Sequence, residues 1–238
     1  MKAAVYFGSR DIYYDMVSAY KSLLVNSDVD KIYLLIEDDE FPFELHPAVQ
    51  TVNIRDTVMK LFSTLSPNFG SRWTYIGLIR GALPKLFPQY DRILSIDCDT
   101  VVLKDMSDLW DIDFGDNYVA GVREPILSQQ RGHLYINAGV IMLNLAKMRE
   151  DGIDDALIEA LNTKYYCFVA QDAINDLCMN RILEIPGNYN VSAYTDHGDS
   201  SGVRVQHFAG GCPHNWRELD IVRYYRALNP ADIRQGRR

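Results

Sequence analysis

The sequence predicts an α/β fold in which a mostly parallel sheet is flanked by helices. Short apolar runs rich in β-branched residues alternate with longer segments whose apolar residues recur at helical spacing, which is the pattern of parallel strands joined by helices. The length of 238 residues fits one large domain as well as two small ones. Because no internal repeat, low-complexity tract or convincing linker divides the chain, we expect a single domain.

The predicted elements follow one another in that alternation. Residues 2–7 are expected to form the first strand, and the turn at 8–11 can cap a helix whose apolar positions continue to Leu24. Further strands are predicted at 31–36, 49–54, 92–96, 118–122, 135–145 and 203–208. Further helices are predicted at 73–83, with Pro84 and Pro88 marking the end, and at 148–161 and 171–179. The run at 92–96 is the best candidate for a central buried strand.

Charge and composition exclude several classes of protein. The chain has 24 Lys+Arg against 32 Asp+Glu and a formal net charge of -8, so nucleic acid is not expected as a partner. No apolar run is long enough to span a bilayer, and the chain starts directly in strand-like sequence instead of a signal peptide, which predicts a cytoplasmic protein. The four cysteines lie far apart without CxxC spacing, which indicates reduced thiols and argues against a zinc ribbon.

Two carboxylates follow the predicted central strand, in the triplet Asp97-Cys98-Asp99. In extended chain, residues i and i+2 point to the same side, so Asp97 and Asp99 can converge on one ligand. Open α/β sheets place their ligand crevice at the carboxyl ends of parallel strands. Paired carboxylates there suit a divalent cation that also holds a diphosphate, with a simple strand-end turn as the alternative.

The same triplet also fits a second class of enzyme. Residues 97–102 match the DxDx[TV][LV] loop of haloacid-dehalogenase-like phosphatases, whose first Asp is a nucleophile. That family places the loop on its first strand and needs an acidic pair downstream. Here three predicted strands precede the loop, and residues 198–201 lack the second Asp. The phosphatase is therefore the less favoured hypothesis.

A longer stretch resembles a known family. Residues 90–102, followed by Asp105, Leu109 and Trp110, are similar to the Y-D-K-V-L-Y-L-D-x-D-x-V-V segment of glycosyltransferase family 8, which includes glycogenin and bacterial lipooligosaccharide galactosyltransferases. The resemblance implies a GT-A fold and retaining transfer of a hexose from UDP-glucose or UDP-galactose to a hydroxyl of a glycan, a lipid-linked sugar or a protein. It extends over residues 2–216, which implies a catalytic domain at 1–216 and a basic C-terminal helix or tail at 217–238.

The resemblance also implies which residues bind the donor. The segment 9–13 is similar to the family's T-N-D-x-Y turn, whose tyrosine stacks on uracil, although Tyr13 also fits a core aromatic on a helix face. Arg80 matches an arginine that holds the diphosphate or sugar, and 135–145 is similar to a strand whose Asn binds sugar. The implied donor-binding residues are Phe7, Ser9, Asp11, Tyr13, Arg80, Asp97, Cys98, Asp99, Asn137, Ala138 and Gly210.

A metal site is implied by a further match at residues 206–210, which resemble the family motif H-[FY]-x-G-x-x-K-P-W. His207 would be the third ligand beside Asp97 and Asp99. An imidazole among oxygen ligands favours Mn²⁺, with Mg²⁺ as the alternative. Residues 211–216 lack the motif's lysine, and we expect His214, Arg217 or Arg80 to take its place.

The catalytic candidates are Gln171 and Asp172, in a segment that resembles the family's D-Q-D-x-x-N motif. Ala170 stands where the family has its first Asp. We expect Gln171 to lie beneath the anomeric carbon as a dipole, with the acceptor attacking on the face from which UDP leaves. Because Ala170 replaces the family's aspartate, a non-catalytic sugar-nucleotide-binding domain is the alternative. The intact set of metal-ligand candidates, Asp97, Asp99 and His207, favours the enzyme.

The C-terminal segment differs from the rest of the chain in charge. From residue 217 onward, six basic and three acidic residues leave a local charge of +3. We expect a helix packed back on the domain, with weak contact of this tail to the inner face of an anionic membrane as the alternative.

Overall fold

The structure is a computed structural model that describes residues 1–71, 75–195 and 202–234. In these ranges the strands are β1 (Ala3–Phe7), β2 (Lys31–Ile36), β3 (Val49–Asn53), β4 (Ile93–Ile96), β5 (Thr100–Val102), β6 (Val119–Arg123), β7 (Ile136–Leu143), β8 (Ile182–Glu184) and β9 (Val205–His207). The α-helices are α1 (Tyr13–Asn26), α2 (Arg55–Leu61), α3 (Ile79–Leu86), α4 (Pro125–Arg131), α5 (Leu145–Glu150), α6 (Ile153–Thr163), α7 (Ala170–Leu177) and α8 (Asp220–Ala227).

Seven strands form one central sheet in the order β3-β2-β1-β4-β7-β6-β8. Only β7 runs antiparallel to its neighbours; the pairs β1/β2, β2/β3, β1/β4 and β6/β8 are parallel. All residues of β4 and β7 are buried, as expected for strands covered by helices on both faces. The predicted α/β class with a mostly parallel sheet is therefore confirmed.

Successive side chains of β1 point to opposite faces of the sheet and contribute to two apolar cores. Ala4 and Tyr6 belong to one apolar core, which they share with α1, while Ala3 and Val5 belong to a second core shared with α3, α6 and α7. Because α1 covers one face and α3, α6 and α7 cover the other, the sheet is the middle of three layers.

Several element boundaries differ from the sequence-based expectation. The helix predicted at 73–83 begins as a 3-10 turn at Tyr75–Leu78 and continues as α3, which contains Pro84 inside the helix instead of ending there; Trp73 lies outside the described residues. The helix predicted at 148–161 is two helices, α5 and α6, separated by Gly152 with φ of 72°. The helices α2 and α4 and the three-residue strands β5 and β8 were not predicted, because such short elements carry too few residues to show a period.

The helix α8 packs against α1. Lys21 Nζ donates to the backbone oxygens of Arg226 (3.1 Å) and Leu228 (2.6 Å), and Asn26 Nδ2 donates to Tyr225 Oη (2.7 Å). The basic segment is therefore docked on the domain. Across the described residues, no helix has the length and hydrophobicity that crossing a membrane requires.

Candidate active site

A small second sheet brings the candidate metal ligands together. Asp97 follows β4 directly, and its backbone N–H donates to Gly139 O in β7 (2.8 Å). The chain then enters β5, where Thr100 pairs with His207 of β9, and Phe208 N donates to Asp99 O (2.8 Å). The pairing of β5 with β9 carries His207 across more than a hundred residues of sequence to the two carboxylates.

One ligand atom from each of Asp97, Asp99 and His207 lies within 4.8 Å of the other two. His207 Nε2 is 3.2 Å from Asp99 Oδ1 and 3.8 Å from Asp97 Oδ2. Two carboxylate oxygens and an imidazole nitrogen are a donor set that suits a divalent cation of the harder transition series, and the three atoms face a common point. These residues therefore fit a metal ion.

The protonation equilibria of this cluster are linked. Burial is the largest influence on His207 and acts to lower its pKa, but the charges of Asp99 and Asp97 outweigh it, so the pKa of His207 lies above its ordinary value. Burial acts to raise the pKa of Asp99, whereas the interaction with His207 leaves that pKa below its ordinary value. The carboxylates therefore favour positive charge at the position of the ring, which is also the charge that a metal ion would supply.

Gly139 provides the space for the imidazole. A Cβ added to Gly139 would lie 2.1 Å from His207 Cε1 and 2.5 Å from Nδ1. Because His207 is only 3% exposed, its ring has little room to move away. The glycine in the segment 135–145 is thus explained by close approach of the metal ligand to β7.

The remaining ring nitrogen of His207 faces a buried polar network. His207 Nδ1 is 2.8 Å from Asn190 Oδ1, and Asn190 Nδ2 donates to Asn137 Oδ1 (2.9 Å). Asn137 Oδ1 also accepts from Gly139 N (2.8 Å), while Asn137 Nδ2 donates to Glu124 Oε1 (2.6 Å). The predicted sugar ligand Asn137 therefore uses both ends of its amide inside the protein.

Glu124 and Asn190 were not among the predicted site residues. Glu124 follows β6 directly, at the same sheet edge as Asp97, so an acidic residue after a buried strand was a signal available in the sequence. Burial raises the pKa of Glu124, and the hydrogen bonds from Asn137 and Gln171 act to lower it. Asn190 is fully buried, and its signal was motif membership, because residues 185–190 resemble the family's saccharide-contacting L-P-x-x-Y-N segment.

Gln171 lies beside this network at the start of α7. Its Oε1 accepts from Ala138 N (2.9 Å), and its Nε2 donates to Tyr135 Oη (3.2 Å). Asp172 is 5% exposed and accepts hydrogen bonds from Tyr135 Oη (2.7 Å) and Phe168 N (2.8 Å). The structure thus brings Gln171 and Ala138 together, while both carboxylate oxygens of Asp172 are occupied by hydrogen bonds from Tyr135 and Phe168.

Strained backbone precedes α7. Val169 has φ of 46° and ψ of -119°, a conformation that β-branched residues rarely adopt. Val169 and Ala170 are each 1% exposed, so surrounding packing holds this conformation. Ala170, which replaces the family's aspartate, is therefore a buried apolar contact at the entry to the helix.

The sequence comparisons agree with this geometry. The profile of the family described as Glycosyl transferase family 8 matches residues 34–211, well over half of the chain. This protein belongs to glycosyltransferase family 8. The resemblance read from residues 90–102 is thereby confirmed.

Similar proteins are identical to the chain at about a quarter of the aligned positions. The alignment with the probable glycosyl transferase Gly of Streptococcus gordonii is 25% identical over 240 positions and covers 92% of this chain and 34% of that protein. The alignment with the glycosyltransferase GlyE of Streptococcus pneumoniae serotype 4 is 26% identical over 205 positions and covers 83% of this chain and 49% of that protein. The chain therefore spans between a third and a half of these two relatives.

Solved structures of glycosyltransferases share the fold. GlyE in its apo form superposes with a TM-score of 0.70 at 20% identity, covering 98% of this chain and 61% of that one. The galactosyltransferase LgtC, crystallised with donor and acceptor sugar analogs, superposes with a TM-score of 0.67 at 19% identity and covers 87% of each chain. These likenesses confirm the predicted GT-A fold.

In this family 8 chain, Arg80 forms an ion pair with Asp97, the first carboxylate of the cluster. Its guanidinium donates to Asp97, its Nε donates to Ser95 Oγ (3.2 Å), and it lies 4.6 Å from the ring centroid of Phe7. Cys98 is buried, and its thiol donates to Phe7 O (3.4 Å). Burial, followed by the charge of Asp97, raises the pKa of the Cys98 thiol. Phe7, Arg80, Asp97 and Cys98 thus form one contiguous group.

The predicted nucleotide turn lies at the end of β1. Ser9 Oγ donates to Asp11 Oδ1 (2.5 Å) in a 3-10 turn at Arg10–Ile12. Tyr13 is 1% exposed, its hydroxyl donates to Asp38 Oδ2 (3.0 Å), and its ring centroid is 5.0 Å from that of Phe41. Burial and the interaction with Asp38 raise the pKa of Tyr13. The ring of Tyr13 is part of the core, and its contact with uracil stays a prediction.

The predicted replacements for the missing lysine differ in their surroundings. Arg217 makes a bidentate contact with Asp15, with Nε 2.9 Å from Oδ1 and Nη2 2.7 Å from Oδ2, and its pKa is raised by Asp15 and more weakly by the charges of Asp99 and Asp11. His214 is exposed. Arg80 contacts the carboxylate of Asp97 directly, whereas Arg217 contacts Asp15 of α1.

Gly210, another predicted donor-binding residue, has φ of 68°, which favours glycine, and its added Cβ would lie 2.9 Å from Tyr194 Oη.

Proposed function

We propose that this chain is a metal-dependent retaining glycosyltransferase that moves glucose or galactose from UDP-glucose or UDP-galactose to an acceptor hydroxyl. The observation that carries the proposal is the convergence of Asp97, Asp99 and His207 at the edge of a family 8 GT-A sheet. Asp97, Asp99 and His207 would hold Mn²⁺, or Mg²⁺ as the alternative, and the ion would offset the negative charge that develops on the UDP leaving group.

The positive side chains near the cluster support a diphosphate at this place. Arg80 is 7% exposed, and its guanidinium reaches Asp97, so a phosphate at the metal would also lie near a fixed positive charge. Arg217 is held by Asp15 and interacts electrostatically with Asp99. We propose that these two arginines share the role of the lysine that residues 211–216 lack.

Retention of configuration requires either a protein nucleophile or attack on the face from which the leaving group departs. The position of the family's aspartate is Ala170, and Asp172 has both oxygens in hydrogen bonds to Tyr135 and Phe168. Gln171 is fixed by Ala138 N and Tyr135 and would present its amide dipole to the sugar. We therefore favour same-face attack by the acceptor hydroxyl, with the donor phosphate taking its proton.

A second function is favoured by one observation. The side chain at position 170 is a buried alanine, so no carboxylate extends from that position towards the sugar. A sugar-nucleotide-binding domain without turnover would show the same metal cluster.

The acceptor class, whether glycan, lipid-linked sugar or protein, is proposed from the family resemblance. Action in the cytoplasm is likewise a proposal.

The decisive experiment measures UDP release from UDP-glucose and UDP-galactose with Mn²⁺, with Mg²⁺ and with EDTA. We expect metal-dependent release from at least one donor, which EDTA abolishes. Asp116→Asn, an exposed acidic residue outside the cluster, is the matched control and should leave the rate unchanged. Metal-dependent donor binding without any release would instead favour the binding domain, and release that EDTA does not affect would contradict the metal assignment.

A further inference from the structure

We propose that Glu124, Asn137 and Asn190 are positioning residues that set the tautomer of His207, so that the lone pair of Nε2 points at the metal position. The inference rests on the proposed metal-dependent function, because the ion that Nε2 would bind is the one proposed above. The three residues come from different parts of the sequence. Glu124 follows β6, Asn137 lies in β7, and Asn190 follows a 3-10 turn at Gly187–Tyr189.

The chain of contacts is continuous from Glu124 to the cluster. The heavy-atom distances are 2.6 Å from Asn137 Nδ2 to Glu124 Oε1, 2.9 Å from Asn190 Nδ2 to Asn137 Oδ1 and 2.8 Å from Asn190 Oδ1 to His207 Nδ1. His207 Nε2 then lies 3.2 Å from Asp99 Oδ1. The three distances behind the ring are short enough for hydrogen bonds.

The direction of donation follows from the two ends of Asn137. A backbone N–H can only donate, so the bond from Gly139 N (2.8 Å) requires the oxygen of the Asn137 amide on that side. An ionised carboxylate can only accept, so Glu124 requires the NH₂ of Asn137 on the other side. Two independent partners thus impose the same orientation on Asn137.

That orientation is passed on to the histidine. Since Asn137 presents its oxygen, Asn190 must present its NH₂, which leaves Asn190 Oδ1 facing the ring. An amide oxygen accepts only, so His207 Nδ1 must carry a proton, and a neutral ring then has its lone pair on Nε2. A histidine that binds a metal through one nitrogen commonly donates from the other in this way.

Burial makes the network effective. Glu124 is 7% exposed, Asn137 6%, Asn190 0% and His207 3%, so water cannot readily replace a lost partner. The network therefore connects one carboxylate remote from the cluster to the ring of His207.

The test compares the Mn²⁺ affinity of two substitutions of Asn190, with free Mn²⁺ measured by electron paramagnetic resonance. Asn190→Leu removes the acceptor for Nδ1–H and should weaken Mn²⁺ binding by about 10- to 100-fold. Asn190→Asp keeps an acceptor for Nδ1–H but loses the NH₂ that donates to Asn137 Oδ1, so it should weaken Mn²⁺ binding less than Asn190→Leu does. Equal affinity of Asn190→Leu and the unaltered protein, or equal weakening by both substitutions, would overturn the proposal.

A second pair serves if Asn190→Leu does not fold. Glu124→Met removes the carboxylate and should weaken Mn²⁺ binding about tenfold, whereas Glu124→Gln retains an oxygen acceptor and should stay within about threefold. Asn68→Leu is the control for a merely structural loss. Asn68 is 0% exposed and its side chain bonds to backbone atoms of Leu161, Lys164 and Tyr166, away from the network, so the Mn²⁺ affinity of this variant should not change even though its melting temperature falls.

The outcomes separate this inference from the proposed function. If the unaltered protein binds no Mn²⁺, the proposed metal-dependent function fails, and the positioning role fails with it. If the unaltered protein binds Mn²⁺ and the Leu and Met substitutions bind it equally well, only the positioning role is overturned.

Discussion

At the scale of single residues, the cluster of Asp97, Asp99 and His207 depends on a glycine, Gly139, as well as on its own three side chains. Asp97 and Asp99 are placed by the end of β4, but His207 reaches them only because Gly139 has no Cβ in its path. The same strand carries Asn137, whose amide is part of the network behind the ring. Position 139 therefore determines where the ring of His207 can lie relative to the two carboxylates.

Gly139→Ala is expected to disrupt the metal site. The added methyl group would lie 2.1 Å from His207 Cε1, so the ring or β7 must move, at a cost of about 1–3 kcal/mol in stability. We expect at least tenfold weaker Mn²⁺ binding by calorimetry. Gly70→Ala is the control, since no atom lies within 4 Å of its added Cβ. Unchanged Mn²⁺ affinity in Gly139→Ala would show that the ring position is not limiting.

Asp99→Ala is expected to abolish Mn²⁺-dependent binding of UDP. Asp99 Oδ1 lies 3.2 Å from His207 Nε2, and its loss would leave one carboxylate and one imidazole. Calorimetric titration of UDP with and without Mn²⁺ measures the difference, with Asp116→Asn as the exposed control. Retention of the Mn²⁺-dependent affinity would contradict the assignment of Asp99 as a ligand.

At the scale of elements, α8 is attached to α1 through a buried charge. Asp15 is 2% exposed and accepts a bidentate contact from Arg217, while Arg226 Nη2 lies 3.7 Å from Asp15 Oδ1. Lys21 and Asn26 of the same helix add hydrogen bonds to the far end of α8. The basic segment at residue 217 and beyond is thereby joined to the helix that follows the predicted nucleotide turn.

Asp15→Ala is expected to loosen α8. The substitution leaves Arg217 without its partner, and a hydrogen bond to a charged group contributes about 1.5–3 kcal/mol. Since Arg217 is half exposed and can be hydrated, we expect the free energy of unfolding to fall by an amount at the lower end of that range. Amide hydrogen exchange in α8 should accelerate more than exchange in the central strand β4. Equal protection of α8 in both proteins would contradict its attachment through Asp15.

At the scale of the whole molecule, charge is divided between the domain and its C-terminal segment. The chain carries -8 overall, whereas the segment from residue 217 carries +3. On α8, Val222 and Tyr225 are buried, and Ile221 and Tyr224 are exposed. The inward face of this helix thus packs on the domain, and Ile221 and Tyr224 lie on its outer face; residues 235–238 of the predicted tail lie outside the described residues.

Deletion of residues 232–238 is expected to reduce binding to anionic vesicles. The deletion removes three arginines and one aspartate, and each basic residue near an anionic surface contributes about 1 kcal/mol. In sedimentation with phosphatidylserine vesicles at low salt, we expect weak binding of the full chain that is lost on deletion. Neutral vesicles are the control. Identical sedimentation of both proteins with anionic vesicles would contradict a contact through the tail.

Local patterns in the sequence were sufficient for the sheet class and for the carboxylates of the site. The strands β1, β2, β3, β4, β6, β7 and β9 were each predicted, most of them because buried strands show continuous apolar runs. Asp97 and Asp99 could be located because a single strand end and a two-residue spacing define them. Family 8 membership followed from the same uninterrupted stretch at residues 90–102.

Only the tertiary structure decided how distant residues combine around these carboxylates. The pairing of β5 with β9 joins Thr100 to His207, and the network from Glu124 through Asn190 spans three separate segments. These contacts leave no period or spacing in the sequence, because their geometry depends on how β6, β7 and the loop before β9 pack together. The amino-acid order by itself determined the strand that holds the two carboxylates, whereas packing decided which nitrogen of His207 faces them.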